Sequence, residues 1–243
     1  MNNVFLYNCP EYDNCQIAIE KLVNDFKILK NIKSGTKVLI KANLVSALPP
    51  EKAATTNYIL LSFLVDYLNN KGAIVTIGDS PGGVFTKAHL ESVYKITKYN
   101  EIKANLNYDL STKKVNYDDA KVLKNFEYTS YLDGYDIKIN FCKLKTHAMM
   151  KMSANVKNLF GTIPGLTKTE YHYRFPNHND FANMLIDLNE FFKFDINITD
   201  AICGMDGNGP TMGNPKKIGL ILASENPYAL DYICAKIINL DPM

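Results

Sequence analysis

Apolar and polar positions follow a strand-like alternation through residues 137–147 and then change character. Ile137, Ile139, Phe141, Lys143 and Lys145 share one face of such a strand, because successive side chains point to opposite sides. Three apolar positions give way to two lysines where the strand should end, with His147 just beyond. Residues 38–44 read as the first strand of the core, with Leu39, Lys41 and Asn43 on one side. Residues 55–70 then place Ile59, Phe63 and Tyr67 at helical spacing, and Gly72 is suited to end that helix. Residues 73–78 form the next strand, so a strand–helix–strand unit with parallel pairing and a right-handed crossover is expected.

Further along, residues 86–97 read as a helix. The stretch 99–130, rich in Asn, Tyr, Asp and Lys, reads as an irregular insertion or a small β subregion. Another helix is expected near 153–160, before the turn-rich run 161–165. Apolar residues at 181, 184, 185, 188 and 192 give 180–192 a helical period. Residues 196–202 and 218–223 are apolar enough for buried strands. Asn226 as N-cap and Pro227 as first residue start the last helix, together worth about 1 kcal/mol. Leu230, Ile233, Cys234 and Ile237 form its inward stripe. The alternation predicts a layered α/β fold, a mixed, mostly parallel sheet flanked by helices, as a single domain over residues 1–243.

Composition narrows the function classes. With 47% hydrophobic and 21% charged residues, the 243-residue chain is ordinary globular material. A formal net charge of +2 supplies no global field for nucleic acid or anionic lipid. The longest apolar stretch, 59–65, is far short of the roughly 20 residues that cross a bilayer. The amino terminus lacks the basic and apolar regions of a signal peptide. The five cysteines are scattered without a Cys-x-x-Cys pair, so they form neither a zinc framework nor an iron–sulfur ligand run. Their odd number, with no secretion signal, implies reduced thiols in a cytoplasm. A cytoplasmic protein with no nucleic-acid and no membrane partner is expected.

Four strand ends become polar together. Lys41 and Asn43 end the first, Asp79 ends the second before Ser80-Pro-Gly-Gly83, and Lys143 and Lys145 end the third. Asp200 lies in the fourth, ahead of Gly204-Met-Asp-Gly-Asn-Gly-Pro210. Ligands of open α/β sheets bind outside the carboxyl ends of the strands. These residues therefore point to a crevice where backbone N–H groups and lysine ammonium groups hold a carboxylate or a phosphate. Two lysines on one strand face lower each other's proton affinity, which suits one of them to general-base or imine chemistry. His147 is an acid–base partner for neutral pH. Arg174, the sole arginine, has the geometry of a bidentate carboxylate clamp. Duller readings stay open: solvated edge lysines, a capping or surface histidine, a turn-capping Asp79 and a structural salt bridge at Arg174. No dinucleotide, nucleoside-triphosphate, calcium, zinc or nucleophile-elbow motif is present.

Several of these residues sit in longer motifs. Lys41-Ala-Asn-Leu-Val-Ser46, Pro49-Pro-Glu-Lys-Ala-Ala-Thr-Thr56 and Gly78-Asp-Ser-Pro-Gly-Gly83 resemble the opening motifs of the domain of unknown function family numbered 362. Lys143-Leu-Lys-Thr-His147, Val156-Lys-Asn-Leu-Phe-Gly161, Pro164-Gly165 and Gly204-Met-Asp-Gly-Asn-Gly-Pro210 match its later motifs in the same order. The resemblance covers about residues 37–242. It implies a cytoplasmic protein, often joined to a carboxyl-terminal ferredoxin-like module with [4Fe–4S] clusters. No cysteine run for such clusters occurs here, so the resemblance implies a cofactor only in a module beyond Met243, and the abrupt end after the last helix suggests truncation.

Three functions compete. The preferred one is an enzyme acting on a small anionic substrate, such as a carbon acid. Lys41, Lys143 and Arg174 would hold the anion, Lys145 and His147 would move protons, and Asn43, Asp79, Asn158 and Asn208 would orient the substrate. No metal site is expected. The second is a redox-linked domain serving an attached or partner ferredoxin-like module, and the third a noncatalytic anion-binding module.

Overall fold

The computed structural model describes residues 3–242. The chain opens with strand β1 (Phe5–Asn8) and helices α1 (Gln16–Asp25) and α2 (Lys27–Lys30). The unit β2 (Lys37–Lys41), α3 (Tyr58–Asn70) and β3 (Ile74–Gly78) follows, then α4 (Lys87–Ile96) and the short β4 (Asn105–Leu106). A hairpin of β5 (Thr112–Asn116) and β6 (Asn125–Thr129) precedes the long β7 (Ile137–His147) and its return β8 (Lys151–Ser153). After α5 (Asn155–Asn158), α6 (Thr167–Arg174) and α7 (His178–Phe192), the chain closes with β9 (Ile196–Asp206), β10 (Asn214–Ser224) and α8 (Pro227–Ile237).

The main sheet has the order β1–β10–β9–β7–β2–β3–β4, with β8 folded back on the end of β7. Pairing is parallel from β9 through β7, β2 and β3 to β4, and antiparallel at β1–β10 and β10–β9. This is the mixed, mostly parallel sheet that the pattern predicts. One face packs on α1, α3 and α4 through Ile40, Ile77, Ile139 and Phe141. The other packs on α7 and the β5–β6 hairpin around Leu39, and on α8 around Cys142 and Leu222.

Local chemistry explains the boundaries. Asn57, Thr86 and Asn226 cap α3, α4 and α8 by accepting backbone N–H groups, which satisfies donors a helix start leaves open. Gly72 takes a φ of +81° just after α3, where a side chain would be strained. The core face of α3 carries Leu60, Leu61, Leu64, Val65 and Leu68. Ile59, Phe63 and Tyr67 are half-buried beside it, because the helix is apolar almost all round and periodicity alone does not select the inward stripe. Residues 153–160 form a single α turn followed by a tight turn, Leu159–Thr162, rather than one helix.

Strand order fixes where side chains converge. The chain runs from β2 to β3 on one side of the sheet and from β7 to β9 on the other, and β2 and β7 are neighbours. That reversal is the switch point of an open α/β sheet, where the connections leave a cleft at the carboxyl ends.

Candidate functional site

At this end of the sheet lies a crevice of about 240 Å³. Asn43 and Val45 follow β2, Asp79 and Ser80 follow β3, and Lys145 comes from β7. Lys157, Asn158 and Phe160 come from the α5 region, Lys168 and His172 from α6, and Pro210 from the β9–β10 turn.

A buried polar chain forms its floor. Asn140 Nδ2 donates to Asn197 Oδ1, and Asn158 Nδ2 donates to Asn140 Oδ1 at 2.8 Å. Asn158 Oδ1 accepts from Lys41 Nζ at 3.2 Å and from Asn43 Nδ2 at 3.0 Å. Asn43 Oδ1 in turn accepts from Lys145 Nζ at 2.7 Å. Lys41 also donates to Asp79 at 2.7 Å and to Ala42 O, so its three N–H groups are all engaged. Asp79 accepts from Lys41 and the backbone N–H groups of Leu44 and Ser80. Lys41, Asp79 and Asn158 thus tie β2, β3 and α5 together. Burial lowers the proton affinity of Lys41, and the adjacent Asp79 works against that shift.

Above this floor stand three lysines with no ion-pair partner among the described residues. Lys145 is buried and, among the described residues, donates only to Asn43 Oδ1 and Ala54 O. Burial, reinforced by Lys157 and Lys143, brings its pKa down to about 7. Lys157 lies 5.6 Å from the Phe160 ring centroid and has no hydrogen-bond acceptor among the described residues. Burial and the charge of Lys41 lower its pKa to about 8. Lys168 donates to Ser80 O at 2.8 Å and lies 3.1 Å from Ser80 Oγ. Burial, opposed by Asp79 and assisted to a smaller extent by Lys41 and Lys157, puts its pKa at about 7. Asp79, already paired, is the one carboxylate lining the crevice among the described residues. A lysine poised near neutrality serves either as a base or as a cation, according to what enters beside it.

The remaining expected site residues lie elsewhere. Lys143 shares the strand face of Lys145, yet its ammonium is held by Asp200 at 2.6 Å, Tyr12 OH at 2.7 Å and Cys203 O. The register of β7 against β9 shifts between these lysines, from Lys143↔Asp200 to Lys145↔Met205, and the irregularity separates their surroundings. His147 does not line the crevice. Its Nδ1 accepts the N–H groups of Met149 and Met150 at the β7–β8 turn. Burial, then the charges of Lys157 and Lys145, depress its pKa to about 3, so it stays neutral at physiological pH instead of titrating there. Arg174 is exposed on the last turn of α6, donating to Asn125 O and packing over Tyr171 and Phe175. Asn208 is exposed in the β9–β10 turn, and Pro210 reaches the crevice in its place.

Lys157, Lys168 and His172 complete the constellation without having been singled out as ligand-holding residues by sequence. Lys157 stands inside the Val156-Lys-Asn-Leu-Phe-Gly161 motif, which is the signal that could have found it. Lys168 carries no comparable signal. The cysteines do not assemble a cluster ligand set: Cys9 and Cys15 sulfurs are 3.0 Å apart, while Cys142 and Cys234 lie against Thr199. Among the described residues, no three His, Cys, Asp or Glu side chains converge as metal ligands.

Known proteins share this framework. The family model described as Domain of unknown function (DUF362) matches residues 38–236. The chain belongs to the DUF362 family. A relative, the thylakoid-associated protein sll1697 of Synechocystis sp., is 30% identical over 214 residues, which is 87% of this chain and 65% of the relative. This DUF362 chain therefore spans just under two thirds of that protein's length. The lactate racemase apoprotein from Thermoanaerobacterium thermosaccharolyticum superposes with a TM-score of 0.61 at 10% identity, over 96% of this chain and 56% of that one. At that identity the likeness concerns the fold. Among the described residues of the DUF362 chain, no helix is long and apolar enough to cross a membrane.

Proposed function

We propose that this DUF362 domain is a cytoplasmic enzyme domain that binds a small anionic substrate in the crevice and moves a proton with Lys145. The observation that carries this reading is the buried Lys145 ammonium, one N–H short of full satisfaction and poised near pH 7, beside two further lysines and no unpaired carboxylate. Burial of uncompensated cations is unfavourable, and an incoming anion removes that cost. Lys157 and Lys168 hold the anion, Asn43 orients Lys145, and Lys41, Asp79 and Asn158 keep the floor rigid. The volume suits a metabolite smaller than a drug-sized ligand. A fold shared with a protein titled lactate racemase lends support, since lactate is a small carboxylate. The proton step would be abstraction at a carbon next to the anionic group, with neutral Lys145 as base.

Incubation in D2O with 2-hydroxycarboxylates and their phosphorylated counterparts tests this. Deuterium should enter the position next to the carboxylate of at least one compound, and Lys145→Gln should abolish that exchange while retaining the fold. Binding without any exchange would select a noncatalytic anion-binding module instead.

A further inference from the structure

We propose that the ligand of the crevice carries at least two negative charges on a compact group, phosphoryl or paired carboxylates, rather than one carboxylate. This rests on the anion-binding reading above and specifies its charge. Lys145, Lys157 and Lys168 bring three cationic side chains to one cavity, and Asp79 is committed to Lys41 at 2.7 Å. Their unclaimed donors are also several. Lys157 has no acceptor among the described residues, Lys145 has two acceptors for three N–H groups, and the third contact of Lys168, to Pro81 O, is long at 3.4 Å. A single carboxylate neutralises one ammonium and leaves the other two without a counter-charge. A dianion offsets two, Lys157 and Lys168, which leaves Lys145 free to act as the neutral base, without crowding a cavity of about 240 Å³. Phe160 and Val45 add apolar surface to the lining for a short carbon skeleton.

The arrangement links binding to protons. In the ligand-free crevice the lysines repel one another and are buried, so they hold protons weakly. A dianion raises their proton affinity, so binding takes protons up and weakens as pH rises through the region where the free lysines are neutral.

Isothermal titration calorimetry of the whole chain provides the test. Inorganic phosphate, phosphoglycolate and malonate are compared with lactate and acetate, at about pH 7.5 and about pH 9, in buffers of different ionisation heat. At least one dianion should bind about tenfold or more tightly than lactate, with net proton uptake, and should weaken about tenfold at the higher pH. Lys157→Gln should remove most of that preference. The Lys157 side chain has no hydrogen bond to lose among the described residues, so the variant should fold, and its melting curve checks this. Phosphate and phosphoglycolate outranking malonate would assign a phosphoryl ligand, and the reverse order a dicarboxylate. Lactate binding as tightly as every dianion, or a dianion preference unchanged in Lys157→Gln, would overturn the proposal while sparing the anion-binding reading. A crevice that takes neither class would overturn both.

Discussion

Asp79 shows how one carboxylate organises a site through its own hydrogen bonds. It accepts from Lys41 Nζ and from two backbone N–H groups, one after β2 and one after β3. Its partner Lys41 is buried, so removal of the carboxylate leaves a cation with no counter-charge in the floor. Asp79→Ala should cost about 3–5 kcal/mol in denaturant unfolding, and the double variant Asp79→Leu/Lys41→Met distinctly less. Equal losses in the two would mean that packing, rather than the uncompensated charge, sets the effect. The contrast between Lys143 and Lys145 belongs to this scale too. The two share one strand face, as alternation predicts, but Lys143 meets Asp200 and Tyr12 OH, whereas Lys145 meets two neutral oxygens. The partners come from elements far apart in sequence, so the difference was not readable from the strand itself.

At the scale of elements, close approaches matter more than regular structure. A Cβ at Gly161 would stand 2.2 Å from Asp79 Oδ1 and 2.6 Å from Lys41 Nζ. Gly161→Ala must therefore push the turn after α5 off the ion pair, costing about 1–3 kcal/mol and loosening Lys157 and Asn158. Its melting temperature and anion affinity should fall together; unchanged values for both would contradict the described packing. The periodic elements, β2, α3, β3, α4, α7 and α8, were legible because their apolar patterns or caps are strong. α6 was not, since Tyr171 is its one buried residue and no apolar period marks it. That helix carries His172 and Lys168, one of the three crevice lysines, so part of the wall lay in an element the pattern could not reveal. Strand β1 and helix α2 went unread for a related reason, since four residues at a sheet edge and one short helix give little period, whereas α1 carries a helical period at Ala18, Ile19, Leu22 and Val23 that was there to be read.

Across the whole molecule, the crevice makes stability depend on pH. Lys145, Lys157 and Lys168 hold protons less tightly than the ordinary value of 10.5, so the unfolded chain binds more protons than the folded one above about pH 7. Stability of the ligand-free protein should therefore rise with pH in this window. A shift from about pH 7 to about pH 8.5 should raise the melting temperature by several degrees, and Lys145→Met should reduce the rise. A falling curve in wild type would contradict this. The sheet order that creates the switch point was only partly legible. The strand–helix–strand unit gave β2 beside β3, but nothing local states that β7 inserts on the other side of β2.

The central claim is that the end of β7 and the helices α5 and α6 bring three ammonium groups, without a carboxylate partner among the described residues, into one crevice. Lysine-selective NMR titration of the ligand-free chain tests it most directly. Three lysines should lose their protons near pH 7, 7 and 8, one signal should vanish in each of Lys145→Gln, Lys157→Gln and Lys168→Gln, and phosphate should move the three upward together. Titration of every lysine near the ordinary value of 10.5, indifferent to phosphate, would contradict the account.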